Sequence, residues 1–302
     1  MTGKKSYDVI IIGGSYAGLS AAMALGRASR NVLIIDNDNP CNRQTPHSHN
    51  FITHDGKAPG EISKIAIAQV LKYPTIHLLS DTVVKALNTS NGFEVTTLLQ
   101  TGISAKKLLF ATGVTDLLPP VKGFAECWGI SILHCPYCHG YEVKGQPLGV
   151  IGNGDAGFDL CKLIYQWSKD ILLFTNGAPS FSDEQKSKLK KNSIRIVETA
   201  IAEIKNRDGY LSEVILADET SYSLNAVFIR PSTQQHCEIP VQLGCLLNEQ
   251  GLIQTDEFQR TNVPGVYAAG DNCFFFRAVS IATASGTKAG AIINKDLVDE
   301  EF

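Results

Sequence analysis

The sequence predicts an α/β chain built on two βαβ units. Two observations carry this reading. Apolar runs at 9–12 and 148–151 each lead into a glycine-rich turn and then a helical apolar pattern. A second apolar run follows each helix, at 31–35 and at 171–174, which is the order of a strand, a crossover helix and a parallel strand. The length of 302 residues points to about two domains.

The elements follow in order. Residues 9–12 form a buried strand, 13–18 the turn, 19–27 a helix and 31–35 the next strand. Residues 61–73 read as a helix, with Ile62, Ile65, Ala66 and Val70 on one face and Pro74 ending it. Runs at 82–87, 93–98 and 107–110, separated by Asn91-Gly92 and Thr101-Gly102, make a small antiparallel meander. Pro119-Pro120 breaks the chain. The second unit then runs as strand 148–151, turn 152–157, helix 158–167 and strand 171–174. Ser182 and Gln185 fit a capping box opening a helix over 182–191. A strand at 194–197, a hairpin at Asp208-Gly209 and a strand at 226–229 close this half. Residues 230–238, polar and proline-bearing, read as a hinge, and the remainder holds a short strand at 266–268 and a long C-terminal helix.

Composition excludes several function classes. With 27 basic and 30 acidic side chains the net charge is −3, and no basic stripe exists to track phosphates, so nucleic-acid binding is not expected. Lys186 to Lys191 reads as a solvated helix face. Eight cysteines are too few and too scattered for a disulfide-stapled secreted scaffold. Only Cys135 and Cys138 are close, which points to a reducing compartment, the cytoplasm, with one special pair. Lys4 and Lys5 precede an uncharged stretch from Val9 to Gly26 that resembles a signal or membrane segment. Its glycines and Ser15, Tyr16 and Ser20 fit a cofactor-binding strand–turn–helix better, and no membrane role is expected.

Four motifs carry chemistry. In Gly13-Gly14-Ser15-Tyr16-Ala17-Gly18 the first glycine permits a tight turn, the second position lets backbone approach a pyrophosphate, and Gly18 lets helix pack on strand. Asp36 lies 36 − 13 = 23 residues after Gly13, at a strand end, placed to accept from ribose hydroxyls. Gly152-Asn153-Gly154-Asp155-Ala156-Gly157 is a second such fingerprint. After its second strand come Thr175, Asn176 and Gly177, with neither a carboxylate for a 2′-hydroxyl nor an arginine for a 2′-phosphate. That turn is either a nicotinamide site or a relic of the fold that binds nothing. A third motif runs from Thr261 to Gly270-Asp271 and is read together with Ala111-Thr112-Gly113.

The fourth is Cys135-Pro136-Tyr137-Cys138-His139-Gly140. Cysteines at this spacing close a small disulfide ring at a helix start, where thiolate is favoured. His139 is the candidate proton carrier, since imidazole titrates near neutral pH. A zinc site from His134, Cys135, Cys138 and His139 is the competing reading, and no metal is expected. His47, His49 and His54 cluster in a polar loop, read as folding over a cofactor, with a metal site as the alternative. The other six cysteines read as buried small hydrophobes.

The order of these parts resembles the thioredoxin reductase type of FAD-dependent pyridine nucleotide-disulfide oxidoreductases, over essentially the whole chain. The resemblance implies two Rossmann-like, three-layer ββα nucleotide-binding domains, the second inserted into the first. The FAD-binding domain would comprise 1–117 and 238–302, and an NAD(P)-binding-like domain, 118–237, would carry the cysteine pair. It also implies a homodimer, and a rotation between domains that alternately presents disulfide and nicotinamide to the flavin. Gly13, Gly14, Ser15, Ala17 and Gly18 would hold the FAD pyrophosphate and Asp36 the adenosine ribose. Gln44 and Asn50 would sit at the flavin side with Thr112 nearby, and Gly270 and Asp271 at the ribityl phosphate. Arg277, Ala278 and Val279 would open the last helix beside the flavin ring. Gly152, Gly154, Gly157, Thr175 and Asn176 would face NADPH or NADH.

Three departures from the thioredoxin reductase pattern stand out. His139 replaces an aspartate, the arginine-rich element after Phe174 is missing, and the second hinge at 229–233 lacks its glycine. The CPxCHG arrangement is similar to that of dithiol oxidases of disulfide-containing natural products, which pass electrons to oxygen. The resemblance implies a disulfide oxidoreductase in which Cys138 faces the flavin, Cys135 exchanges with the substrate and His139 shuttles the proton. The partner would be a thioredoxin-like protein or a small dithiol or disulfide. A dithiol oxidase running the same residues in reverse is the alternative, and a non-catalytic flavin redox sensor an alternative of another class.

Overall fold

A computed structural model describes residues 6–302. Lys4 and Lys5 lie outside the described residues. In chain order the elements are β1 (Ser6–Ile12), α1 (Tyr16–Arg27), β2 (Val32–Asp36), α2 (Pro59–Val70), β3 (Ile76–Ser80), β4 (Val83–Thr89), β5 (Gly92–Thr97), β6 (Ile103–Phe110), β7 (Val114–Leu117), α3 (Phe124–Cys127), β8 (Ile132–Leu133) and α4 (Pro136–His139). Then come β9 (Leu148–Ile151), α5 (Gly154–Ile164), β10 (Ile171–Phe174), α6 (Asp183–Lys191), β11 (Arg195–Val197), β12 (Ile201–Arg207), β13 (Tyr210–Leu216) and β14 (Ser221–Ser223). The last are β15 (Ala226–Ile229), β16 (Ser232–Gln235), α7 (Ile239–Gln242), β17 (Val266–Ala268) and α8 (Val279–Glu301). No described helix is long and apolar enough to cross a membrane.

The chain divides into two compact units. Among the described residues the first holds 6–43, 51–115 and 233–302, and the second 44–50 and 116–232. The crossings at 115/116 and 232/233 fall a few residues before the boundaries expected from sequence. The short segment 44–50 also groups with the second unit rather than the first. The crossing strands β7 and β16 pair as a two-stranded ribbon.

The first unit is built on the sheet β3-β2-β1-β6-β5-β4, with β17 also on β6. Strands β3, β2, β1, β6 and β17 run parallel, and β4, β5 and β6 form the expected antiparallel meander. Side-chain alternation explains the layers. Val9 and Ile11 of β1 face α1, α2 and α8, while Ile10 and Ile12 face a second core containing Phe93, Val95, Ile239 and Ile253. The parallel strands therefore read as continuous apolar runs, because both faces are covered.

The second unit has a five-stranded parallel sheet, β11-β10-β9-β15-β8, and a three-stranded antiparallel sheet, β12-β13-β14. One core joins Phe124, Ile132, Phe174 and Val227 to the antiparallel sheet, and the other lies under α5 and α6 around Leu160, Ile164 and Leu189. The capping box forms as expected. Ser182 Oγ accepts the Gln185 N–H at 3.2 Å, and the Ser182 N–H donates to Gln185 Oε1 at 2.9 Å. The β12–β13 hairpin turns at Asp208 and Gly209, both with positive φ (53° and 82°).

Several expectations need correction. Helices α1 and α5 begin at Tyr16 and Gly154, earlier than expected, because the last glycine of each fingerprint lies in the helix's first turn. Helix α2 stops at Val70, short of the end at 73 expected from sequence, with Leu71 as its C-cap. Strand β3, an exposed edge, was not expected. The polar stretch 230–238, read as a hinge, contains the crossing at 232/233, and within it Ser232–Gln235 forms a strand that was not expected.

Candidate active site and cofactor clefts

In the first unit the chain leaves β1 through Gly13, whose φ is 105°. A Cβ at Gly13 would stand 2.3 Å from the Ala111 carbonyl oxygen, and one at Gly18 would stand 1.9 Å from the Gly13 oxygen. Only glycine allows turn, helix and β6 to close this tightly. Asp36, at the end of β2, accepts the Gly14 N–H at 2.5 Å and the Asp38 N–H at 2.8 Å. The carboxylate is thereby fixed beside the turn.

Helix α1 has Ser15 as its N-cap, with no side-chain cap hydrogen bond and no acidic residue in its first turn. Helix α8 starts the same way at Ala278, with Val279 as its first residue. Two long helices thus begin with unneutralised N-terminal N–H groups. They are tied together. Gly290 and Gly286 of α8 lie on the backbone of Ala21 and Ala17, and Ser285 Oγ accepts the Gly270 N–H at 3.0 Å. Asp271 pairs with Arg277 at 3.2 Å just before α8 begins.

The ends of β6 and β17 meet at Asn272. Its Nδ2 donates to the Phe110 carbonyl at 2.8 Å and to Thr112 Oγ1 at 3.4 Å, whereas its fully buried Oδ1 has no partner. Beyond Thr112, Gly113 has φ 65° and open space where a Cβ would stand. An uncapped helix start, a fixed carboxylate and an orphaned buried acceptor fit FAD. Gly13, Gly14, Ser15, Ala17, Gly18 and Asp36 would hold its adenine nucleotide half, and Thr112, Gly270, Asp271, Arg277, Ala278 and Val279 its flavin half. Asn272 and Ser285 were not anticipated. Their signal was proximity to Gly270-Asp271 and the Gly286/Gly290 spacing on the last helix.

Gln44 and Asn50 are not brought into this unit. Both are exposed, on the segment that groups with the second unit. The reason is local packing. Thr45 lies against Gly129, and His49 Nε2 sits 3.5 Å from Glu142 Oε1.

The cysteine motif belongs to the second unit. Cys135 is the N-cap of the one-turn helix α4, with Pro136 preset at its first position. Cys135 and Cys138 are joined in a disulfide, Cα to Cα 5.3 Å. The Cys138 N–H donates to Cys135 Sγ at 3.2 Å, an interaction that favours negative charge on that sulfur. Cys135 is the more buried of the two. The disulfide uses both sulfurs, so a zinc site would require them reduced and ionised.

The two tryptophans of the chain flank this turn. The Trp128 and His134 rings lie 5.8 Å apart, tilted by 30°, and Trp167 meets the exposed Tyr137 edge-on at 5.5 Å. Trp167 also covers Gly140, where a Cβ would stand 2.9 Å from the indole. His139 is half-buried, and burial pushes its pKa down to about 4. The Glu142 carboxylate opposes that shift and His49 adds to it. His139 is therefore neutral at pH 7, a proton acceptor rather than a group poised at its midpoint.

The second glycine turn has the expected shape. A Cβ on Gly152 would stand 2.8 Å from Gly157 Cα, and Gly154 has φ 56°. Its polar side chains are engaged internally. Asn153 Oδ1 accepts the N–H groups of Gly154 and Ser180, both at 2.8 Å, and its Nδ2 donates to the Ala178 carbonyl. Thr175 Oγ1 donates to the Gly177 carbonyl at 2.7 Å, and Asn176 Oδ1 accepts the Ile201 N–H at 2.9 Å. The backbone turn fits a nucleotide pyrophosphate, and the Thr175 and Asn176 side chains are hydrogen-bonded within the protein.

Comparisons with known proteins agree with this geometry. The pyridine nucleotide-disulphide oxidoreductase family matches residues 7–287. Thioredoxin reductase sirT of Leptosphaeria maculans is 31% identical over 306 residues, covering 95% of this chain and 93% of that protein. The crystal structure of an oxidoreductase from Agrobacterium tumefaciens superposes with a TM-score of 0.92 at 37% identity, over 97% of this chain and 99% of the other. That of HlmI superposes with a TM-score of 0.91 at 32% identity, over 98% of this chain and 94% of the other. Members of this family use FAD and NAD(P)H. The chain is an enzyme of the pyridine nucleotide-disulphide oxidoreductase family, of the thioredoxin reductase-like, FAD-dependent type.

Proposed function

We propose that Cys135 exchanges with an external disulfide while Cys138 resolves the mixed disulfide and His139 holds the proton. The observation that carries this is Cys135 as the α4 N-cap, its sulfur accepting the Cys138 N–H, on one turn with an imidazole kept neutral. When bound, FAD supplies a two-electron relay to the cysteine pair. With the pair reduced, His139 takes the Cys135 proton. The Cys135 thiolate attacks one sulfur of the external disulfide, and the leaving thiolate takes that proton. Cys138 then attacks the mixed disulfide and releases the second thiol. The pair is left oxidised and the substrate is left as two thiols.

The partner is a thioredoxin-like protein or a small disulfide, and the assembly is a homodimer, as the family resemblance implies. Cys127, Cys161, Cys237, Cys245 and Cys273 are free thiols, which supports a reducing, cytoplasmic location. On the same resemblance, Gln44 and Asn50 serve the flavin side.

A second reading draws support from the second glycine turn, where Asn153, Thr175 and Asn176 are already engaged. In it, electrons enter from a dithiol and leave to oxygen, so that a dithiol and O2 become a disulfide and hydrogen peroxide. Anaerobic addition of NADPH, NADH or dithiothreitol to the purified yellow protein separates the two. Bleaching of the flavin absorbance by a nicotinamide nucleotide supports the first reading. Bleaching by the dithiol alone, reversed by oxygen, supports the second.

A further inference from the structure

Among residues 135–140 only Tyr137 is exposed. Cys135 and Pro136 are buried and Cys138 and His139 half-buried, so the sulfurs are recessed next to a ring that stands 54% exposed. That ring is not loose. It meets Trp167 with centroids 5.5 Å apart and planes at 87°. The indole is seated in turn on Gly140, at the end of the same turn, where a Cβ would stand 2.9 Å from it. Tyr141, the next exposed ring, stands 70% exposed, but Lys144 Nζ lies over its face, 4.2 Å from the centroid. The thiol exchange itself uses neither Tyr137 nor Trp167.

We propose that Tyr137 is a specificity-determining residue that takes an aromatic ring carried next to the substrate's sulfur, and that Trp167 is its positioning residue. The substrate class is a small aromatic disulfide, or the matching dithiol if electrons run in reverse. This rests on the reading of Cys135 and Cys138 as the pair that exchanges with an external disulfide. Whatever reaches the recessed sulfurs passes Tyr137. A slim disulfide does so with its ring laid against the tyrosine, whereas a broad protein face meets the protruding ring before it meets sulfur. Rings in offset or edge-on contact gain more than their buried area alone supplies. Because Trp167 already holds the tyrosine, little side-chain freedom is left to lose on binding.

The test uses the FAD-loaded protein, photoreduced without oxygen so that flavin and cysteine pair are both reduced. A disulfide is then mixed in large excess, and the return of flavin absorbance reports electrons leaving through the pair. The probes are 4,4′-dithiodipyridine as the aromatic disulfide, 2-hydroxyethyl disulfide as the aliphatic one, and an oxidised thioredoxin. Tyr137→Ala is expected to raise the half-saturating concentration of the aromatic probe about two- to tenfold, the worth of one ring contact, with its limiting rate unchanged. The aliphatic probe should be unaffected. Tyr137→Phe keeps the ring and should match the parent, and Tyr141→Ala should change nothing. Trp167→Leu should weaken the aromatic probe's saturation and spare the aliphatic one, a discrimination that general loosening of the fold would not produce. Equal losses for both small probes, or the same loss in Tyr141→Ala, would overturn the proposal in favour of a diffuse apolar face. A loss confined to thioredoxin would overturn it in favour of a protein partner. Unaltered saturation in Tyr137→Ala, with the probes still reacting, would overturn it and leave the exchange reading standing. A parent protein that passes electrons to none of the probes would remove the exchange reading, and this proposal with it.

Discussion

Gly286 of α8 lies flush on the backbone of α1, where a Cβ would stand 2.0 Å from the Ala17 carbonyl oxygen. Ala17 belongs to the first glycine turn, and Ser285, beside Gly286, holds the Gly270 N–H. One close contact therefore registers both helix starts that would face FAD.

Gly286→Val should move α8 off α1. Overpacking a buried seam typically costs about 1–3 kcal/mol, and the backbone contact here puts the change at the upper end. A lower melting temperature is expected together with reduced FAD occupancy, read from the flavin-to-protein absorbance ratio. Gly60→Ala in α2 is the control, because nothing lies within 4 Å of a Cβ there. It should leave both quantities unchanged or slightly raise stability. Full FAD occupancy in Gly286→Val would show that the seam does not position the cofactor turn.

The two cysteines should differ in trapping. In Cys138→Ser the Cys135 thiolate has no resolving partner, so incubation with a disulfide substrate should leave a stable mixed disulfide, visible as a mass increase. Cys135→Ser should form none. Both variants should lose turnover and keep FAD. Burial does not decide this, since Cys135 is the less exposed sulfur in the oxidised pair. The Cys138 N–H on Cys135 Sγ is what favours Cys135 as the nucleophile. Trapping by Cys135→Ser alone would reverse the assignment.

His139 also predicts a pH dependence of stability. Its folded pKa of about 4 lies below the value of roughly 6.5 in an unfolded chain. Between those values the unfolded chain binds a proton that the folded chain refuses. Stability is thus fully present above pH 6.5 and declines as pH falls toward 4, by less than the ~1.4 kcal/mol per pH unit that one proton allows. His139→Gln should flatten the denaturation midpoint across this window. An unchanged slope would mean that His139 is not held neutral. Turnover at pH 7 should fall about a hundredfold in the same variant if His139 carries the proton.

Much of the fold was legible because its signals are local. Strands 171–174 and 226–229 are unbroken apolar runs bounded by polar residues, and the structure matches them and 266–268 end for end. The Ser182–Gln185 box and the Asp208-Gly209 hairpin depend only on neighbours in sequence. Strand β16 was not legible, because Ser232–Gln235 carries no apolar alternation and exists by pairing with β7. The site divides in the same way. The glycine fingerprints, Asp36 and the cysteine pair announce themselves by spacing. Asn272, Trp167 and the pairing of His49 with Glu142 depend on contacts between residues far apart in the chain.

The second glycine turn gives the last prediction. A 2′-phosphate is usually met by an arginine fork, because planar bidentate donors match its oxygens, and a 2′-hydroxyl by a carboxylate. On the loop after β10 neither is present, and Thr175 and Asn176 spend their side chains on Gly177, Val197 and Ile201. NADP+ and NAD+ should therefore bind weakly and with little discrimination, as measured by calorimetry on the FAD-loaded protein. Ala178 is exposed on that loop, and only its backbone carbonyl is engaged, by Asn153. Ala178→Arg adds a guanidinium without removing any of these hydrogen bonds. One charge-assisted contact, about 1.5–3 kcal/mol, should raise the preference for NADP+ over NAD+ roughly tenfold or more. Tight, strongly NADP+-selective binding by the parent protein would sink this account of the loop. An Ala178→Arg variant with unaltered preference would show that the nucleotide's 2′ end does not reach the loop at all.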